Sequence, residues 1–419
     1  MNNVTKYHLC LANPFILNGV TWICVWLLYN LGWSHLCPPL SPELVFFILS
    51  TSVISIIIGI ITYKRNLISF KPVDNPNAKP VFLWLIFLYI LLLVEIVIVG
   101  TVPLIGYATG NVTIEYTEFG LPFIHVIIVN GLSATCLFSF YCYKSTPIKK
   151  KKRQFIIACI LCLVPFVLIF NRGGIIANII GILLLSIVTA KKPFKLLLKC
   201  IFSLIVLLFA FGLAGNIRFG KSGMDRFTQL AQPTKAFTES HIPNEFLWSY
   251  LYIVSPLANT QNTINHSNYG NYDTEDLQNI IIYEMVPQII SKRIAGEQEE
   301  TNKANRARLV VSSFTVSSLY GRAYNYLGWQ GLWLLFVFLL AFIAININLV
   351  PKRSKYYFPL IISVDIIVVL NLFDNMLTYM GLVPQVLIFI SLYFASTLSF
   401  SHIRKKSHKN RIKLFDGNL

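Results

Sequence analysis

The chain has 419 residues, of which 55% are hydrophobic and only 13% charged, with a mean hydropathy of +0.63; that is too apolar for a water-soluble globule of this length. A formal net charge of +17 would direct a soluble protein towards nucleic acid, but here the basic residues fall between apolar stretches, so no nucleic-acid partner is required. The composition predicts an all-α, polytopic membrane protein.

In chain order, the N-terminal MNNVTKYHLCLANPF lacks the charged start, short apolar run and small-residue cleavage site of a secretory signal, so the first apolar stretch is expected to be retained. Runs able to cross the hydrocarbon core, with tilt or local thinning absorbing differences in length, lie at 14–33, 42–63, 81–104, 122–143, 155–170, 175–190, 196–214, 328–349, 358–373 and 382–400. They predict about ten transmembrane helices in one membrane domain covering 1–419. Basic residues cluster at Lys64–Lys79, Lys144–Arg153, Lys191–Lys199, Lys352–Lys355 and in the tail 401–419, opposed there only by Asp74 and Asp416. Lysine and arginine near span ends stay in the cytoplasm during insertion, which places these loops and both termini inside.

Residues 155–190 carry basic clusters on both flanks, so the chain must cross twice and turn back at Asn171-Arg172-Gly173-Gly174, a polar tip at the outer face. Each arm of about 16 residues rises only ~24 Å, which makes the pair short, tilted or re-entrant. Residues 215–327 then form a large, partly helical loop on the outer, periplasmic side. Within it, NEFLWSYLYIVSPLAN (244–259) and EDLQNIIIYEMVPQIISKRI (275–294) read as helices broken by Pro256 and Pro287, lying against the membrane surface or over a cavity. No internal repeat or low-complexity tract is visible.

The outer side keeps an excess of arginines, although basic residues are disfavoured there. Arg172, Arg218, Arg226, Arg293 and Arg322 are candidates for binding phosphate, because a guanidinium offers a rigid fork of donors that stays charged at any working pH. Arg172, Arg218 and Arg322 are expected at one outer membrane plane, and Arg172 is favoured most because the two glycines after it let a ligand approach the backbone. The alternative is pairing with outer acids such as Asp225, Glu239, Glu245 and Glu284, or snorkelling to headgroups; pairing is preferred for Lys303, Arg306 and Arg308, near EQEE. Glu95 sits within the third span, where a carboxylate is expensive unless paired or facing a polar cavity; it is a functional candidate, with a structural hydrogen bond in the neutral acid form as the alternative, and Asp365 in the ninth is a weaker one. Glu284, Glu245 and His241 are candidate general bases, while His125 and His266 carry weaker signals. No HExxH, P-loop or GxSxG pattern occurs, and the Cys159-x-x-Cys162 pair lies inside an apolar run and reads as packing; no metal or cofactor is predicted.

Four stretches, GNVTIEYTEFGLPFIHVII, NRGGIIANIIGILLL, YLYIVSPLAN and VVSSFTVSSLYGRAYNYLGWQGLWLLFVFLLA, resemble the O-antigen polymerases (Wzy), the oligosaccharide repeat unit polymerases. The likeness covers most of the chain in architecture and little of it in residues. No arginine is followed eleven positions later by glycine, the arginine-rich loop pattern of some members, so only Arg172 carries over. The resemblance implies a bacterial inner-membrane enzyme that transfers a growing glycan from undecaprenyl pyrophosphate to the next lipid-linked repeat unit, with membrane lipid and a chain-length regulator protein as partners and no cofactor. Tyr252 and Tyr324, with Trp248 and Tyr250, would then stack on sugar faces. An O-antigen ligase would share carrier, loop and arginines; a flippase is a further alternative, as is a purely structural membrane protein.

Overall fold

The computed structural model describes residues 6–109, 119–218, 230–267, 272–295, 307–312 and 314–398. Every extended element among them is helical, and only two isolated bridges, Ser34 with Pro233 and Ser318 with Asp374, stand outside. Besides a 3-10 helix at Lys6–Ala12 and a single α-turn at Lys235–Thr238, the helices among the described residues are α1 (Pro14–Tyr29), α2 (Pro42–Lys64), α3 (Lys79–Val99), α4 (Pro103–Thr109), α5 (Pro122–Ser145), α6 (Lys149–Leu168), α7 (Arg172–Val188), α8 (Pro193–Arg218), α9 (Glu245–His266), α10 (Thr274–Ile280), α11 (Gln288–Ala295), α12 (Gly321–Leu349), α13 (Tyr357–Leu370) and α14 (Val383–Leu398). Each of the ten apolar runs coincides with one of them. Helices α2, α3, α5 and α12 are long and apolar enough to cross a membrane, and α1, α7, α13 and α14 are shorter apolar helices.

Local sequence explains the helix starts. Asn13 caps α1 by accepting from the Phe15 and Ile16 amides, and Ser41 caps α2 by accepting from Leu44; a proline follows each cap, where its missing N–H is no loss. Helix α3 stops at Val99, short of the expected 104, because Gly100 takes the left-handed conformation (φ +78°) and Pro103 opens the separate helix α4. The outward side chains of α3, among them Leu83, Ile86, Ile90, Leu93 and Val97, are exposed and apolar, as a lipid-facing surface requires.

The chain divides into two compact units. The first comprises 1–68, 179–345 and 364–383. In it α1 and α2 pack closely: a Cβ on Gly19 would lie 2.6 Å from the Ser52 carbonyl oxygen, and Asn13 and Asn18 donate across to Thr62 and Ser55. Helix α9 runs unbroken through Pro256, contrary to the expected break, and is a core element rather than a surface one: Val254 to Gln261 are all buried. Its polar face holds the segment leading to α12, with Asn259 donating to the Phe314 and Val316 carbonyls and Thr260 to that of Ser317. The expected break at Pro287 does occur, between a π-helical turn and α11.

The second unit comprises 69–178, 346–363 and 384–419. Its central helix, α5, packs against α3 and α6. Helices α5 and α6 are joined by the short turn 146–148 and run antiparallel, so the lysine-rich segment 144–153 marks one end of the pair and the start of α5 with the close of α6 marks the other. Cys136, Cys159 and Cys162 are buried in this packing as free thiols, which agrees with the packing reading of the CxxC.

Candidate functional site

In the first unit, three segments far apart in sequence meet around one guanidinium. Residues Ile281–Met285 form the π-helical turn that α10 runs into before Pro287 ends it, and the turn directs Glu284 inward, where it is 1% exposed. Arg322, in the first turn of α12, donates from Nε to Glu284 Oε1 (2.7 Å), from Nη2 to Oε2 (3.3 Å), and from Nη1 to Asp374 Oδ1 (2.9 Å). Asn375 completes the group, its Nδ2 donating to Glu284 Oε2 (2.9 Å) and to the Glu284 carbonyl (2.7 Å).

The loop bearing Asp374 and Asn375 is fixed by its own backbone. Asn371 Oδ1 accepts from the Met376 amide, Ser318 donates to the Phe373 carbonyl, and Gln288 donates to that of Thr378. The Asp374 side chain is 32% exposed, and the ring of Tyr252, itself half-exposed, packs 5.7 Å from that of Phe373. A polar, solvent-reaching floor beside an accessible aromatic face results.

Two carboxylates surround one guanidinium, so the cluster carries a net negative charge. Arg322, expected to face phosphate, is instead occupied by acids, the pairing alternative raised from sequence, and a pyrophosphate would meet repulsion here. Both oxygens of Glu284 are engaged, which leaves it holding the cluster together rather than open to a substrate proton. No family model, curated protein or solved structure matches the chain. The geometry therefore stands alone in assigning the site.

The second unit holds Arg172 at the α6–α7 turn. Phe170 takes a left-handed conformation (φ +59°), Asn171 Oδ1 accepts from the Gly174 amide to start α7, and the exposed Arg172 guanidinium lies over the Phe170 ring at 4.8 Å. Gly174 is there for packing: a Cβ would collide with the Phe166 ring. Gly173 faces only Asn171 Oδ1, at 3.7 Å.

Glu95, in α3, is completely buried and accepts from the Leu121 amide (2.9 Å) and at 3.1 Å from His125 Nδ1.

The remaining sequence candidates do not join these groups. His241 is exposed in a turn at φ +54°, Glu245 is half-buried in the first turn of α9, and Arg293 is exposed on α11; none of the three makes an ion pair among the described residues. Tyr324, expected to stack on a sugar, is 2% exposed and packs edge-on against Trp329, so its ring serves the core. Arg218 ends α8 with its side chain outside the described residues; Arg226, Lys303, Arg306 and the 401–419 tail lie outside them altogether. Among the described residues no group of three or more His, Cys, Asp or Glu could hold a metal ion. Asp374 and Asn375 were not singled out from sequence. Their signal is a polar Asp-Asn pair interrupting two apolar runs in NLFDNML.

Proposed function

We propose that the chain is a bacterial inner-membrane glycosyltransferase that polymerises undecaprenyl-pyrophosphate-linked oligosaccharide repeat units on the periplasmic side, as O-antigen polymerases do. One observation carries this reading: Glu284, Arg322 and Asp374 come from the long loop, the approach to the eighth span and the loop between the ninth and tenth, three segments that the distribution of lysine and arginine independently assigns to the outer side. Their convergence supports ten crossings with both termini inside and a structured periplasmic loop.

In this reading the cluster holds sugar. Asp374, fixed by Arg322 and by the Asn375 amide at 2.7 Å, offers a carboxylate edge to sugar hydroxyls, and Tyr252 offers an apolar ring face beside it. Arg293 in the first unit and Arg172 in the second each offer an exposed guanidinium to a lipid-linked diphosphate. A chain-length regulator is the expected protein partner.

The test is a surface-glycan gel from a strain whose own copy carries Asp374→Asn at normal membrane level. Long-chain glycan is expected to fall at least about tenfold, the loss of one charge-assisted contact, with core bearing a single repeat accumulating. Bare core would identify a ligase instead. An unchanged ladder, or an introduced cysteine at 374 that only a cytoplasmic reagent labels, overturns the reading.

A further inference from the structure

The Glu95–His125 pair has no task in the cluster described above, yet several features converge to build it. Glu95 approaches the far end of α3 from Lys79, and His125 lies in the first turn of α5. Between them Gly120 sits at φ +103°, and a Cβ there would lie 2.5 Å from His125 Nδ1 and 2.8 Å from Glu95 Oε1, so the turn closes only on glycine. Phe119 packs edge-on against the imidazole at 5.8 Å, and 21% of the histidine side chain remains exposed. Oε1 accepts from the Leu121 amide and Oε2 lies 3.1 Å from Nδ1; an ionised Glu95 can only accept there, which selects the Nδ1–H tautomer and leaves the Nε2 lone pair to take a proton. A fully buried carboxylate that orients a partly exposed histidine is an arrangement suited to proton transfer.

The position of the pair indicates what it would act on. Helices α5 and α6 run antiparallel from the lysine-rich 144–153 segment, so His125, near the start of α5, and Arg172, just past the close of α6, lie at the same end of that hairpin, opposite the lysines. Each helix spans ~30 Å between the two ends. The second unit thus presents an exposed guanidinium and an oriented imidazole at one rim.

We propose that His125, steered by Glu95, is the proton acceptor for a sugar hydroxyl attacking a diphosphate-linked glycosyl donor; this rests on the function proposed above for the identity of the two substrates. His125 Nε2 takes the hydroxyl proton as the oxygen forms a bond to the anomeric carbon. The bond from that carbon to the diphosphate oxygen breaks, its electron pair leaving with the diphosphate beside Arg172. The imidazolium, facing Glu95, then returns its proton to water. Glu95 is a positioning residue in this scheme.

Two measurements on the full-length protein in nanodiscs test it. In the first, diethyl pyrocarbonate is the probe and peptide mass spectrometry follows carbethoxylation of His125, with exposed His241 and His266 as internal references. His125 is expected to react, and Glu95→Gln to slow it about tenfold relative to His241, the scale set by losing an orienting partner. An unreactive His125, or an unchanged rate in E95Q, overturns the proposal. In the second, His125→Ala is expected to lower glycan transfer about 10²-fold or more, with partial recovery when imidazole is added, a rescue that loss of a packing residue would not show. Full activity in H125A, or lost activity that imidazole does not restore, refutes the proton-transfer role. Wild-type protein with no transfer activity refutes the proposed function, and the carbethoxylation rates then decide the pair by themselves.

Discussion

Replacing Arg322 with alanine removes the one cation that pairs with Glu284 among the described residues and is expected to destabilise the protein by about 3 kcal/mol. The Glu284 side chain is 2% exposed and would lose the bonds at 2.7 and 3.3 Å, keeping only the Asn375 amide at 2.9 Å; a charge left buried in this way costs roughly 3–5 kcal/mol. Partial exposure of Arg322, at 28%, places the value at the low end, because water already screens part of the pair. Asp374, a third exposed, regains water and adds little. Glu284→Gln leaves Arg322 with Asp374 and is expected to cost about 1 kcal/mol, and the double variant should show a coupling energy of about 2 kcal/mol. Unfolding in dodecyl maltoside titrated with sodium dodecyl sulfate, followed by tryptophan fluorescence, measures all four corners of the cycle. Single variants each within about 0.5 kcal/mol of wild type, or strictly additive effects, refute the view that this cluster is a tight, desolvated clamp.

Further outcomes follow from individual residues. Gly174→Ala forces a Cβ into the Phe166 ring and should cost about 1–3 kcal/mol in the same titration, whereas Gly173→Ala, with 3.7 Å of clearance, should be neutral or stabilising by up to about 1 kcal/mol because alanine favours helix. Gly120→Ala should slow His125 carbethoxylation as Glu95→Gln does, since the added carbon displaces the same two side chains. Burial pushes the Cys37 thiol up to about 12, with a hydrogen bond from Tyr250 opposing the shift. Only the thiolate reacts, so alkylation at pH 8 should be slow and rise about tenfold per pH unit towards that value, as mass spectrometry of the Cys37 peptide can follow; a pH-independent rate would contradict the burial.

The apolar runs were legible because their length and hydropathy set them apart from the basic loops between them. Pro256 misled because a proline inside a helix removes a single backbone bond, and the burial of Val254 to Gln261 in tertiary packing outweighs that loss. Glu284 and Arg322 were both picked out, but as a base and a phosphate ligand; their pairing depends on a π-helical turn, which leaves no periodic mark in sequence. Asp374 escaped because a two-residue polar interruption between apolar runs has the same appearance as any interhelical turn. The burial of Tyr324 is likewise set by tertiary packing against Trp329, which composition does not encode.

Helix α12 leaves helical geometry at Leu327 (φ −136°, ψ 20°) and Gly328 (φ 52°, ψ −136°), and a side chain at 328 would run into the Tyr272 hydroxyl. Counted from the break, Trp329 to Leu349 is about 21 residues, or ~31 Å of rise, which alone matches the hydrocarbon thickness. The turn carrying Arg322 is therefore surplus to the crossing and free to take its direction from the acids that grip it. A single helix thus joins an apolar stretch long enough to cross a membrane to a separately aimed polar turn, and the boundary falls where the apolar run begins in the sequence.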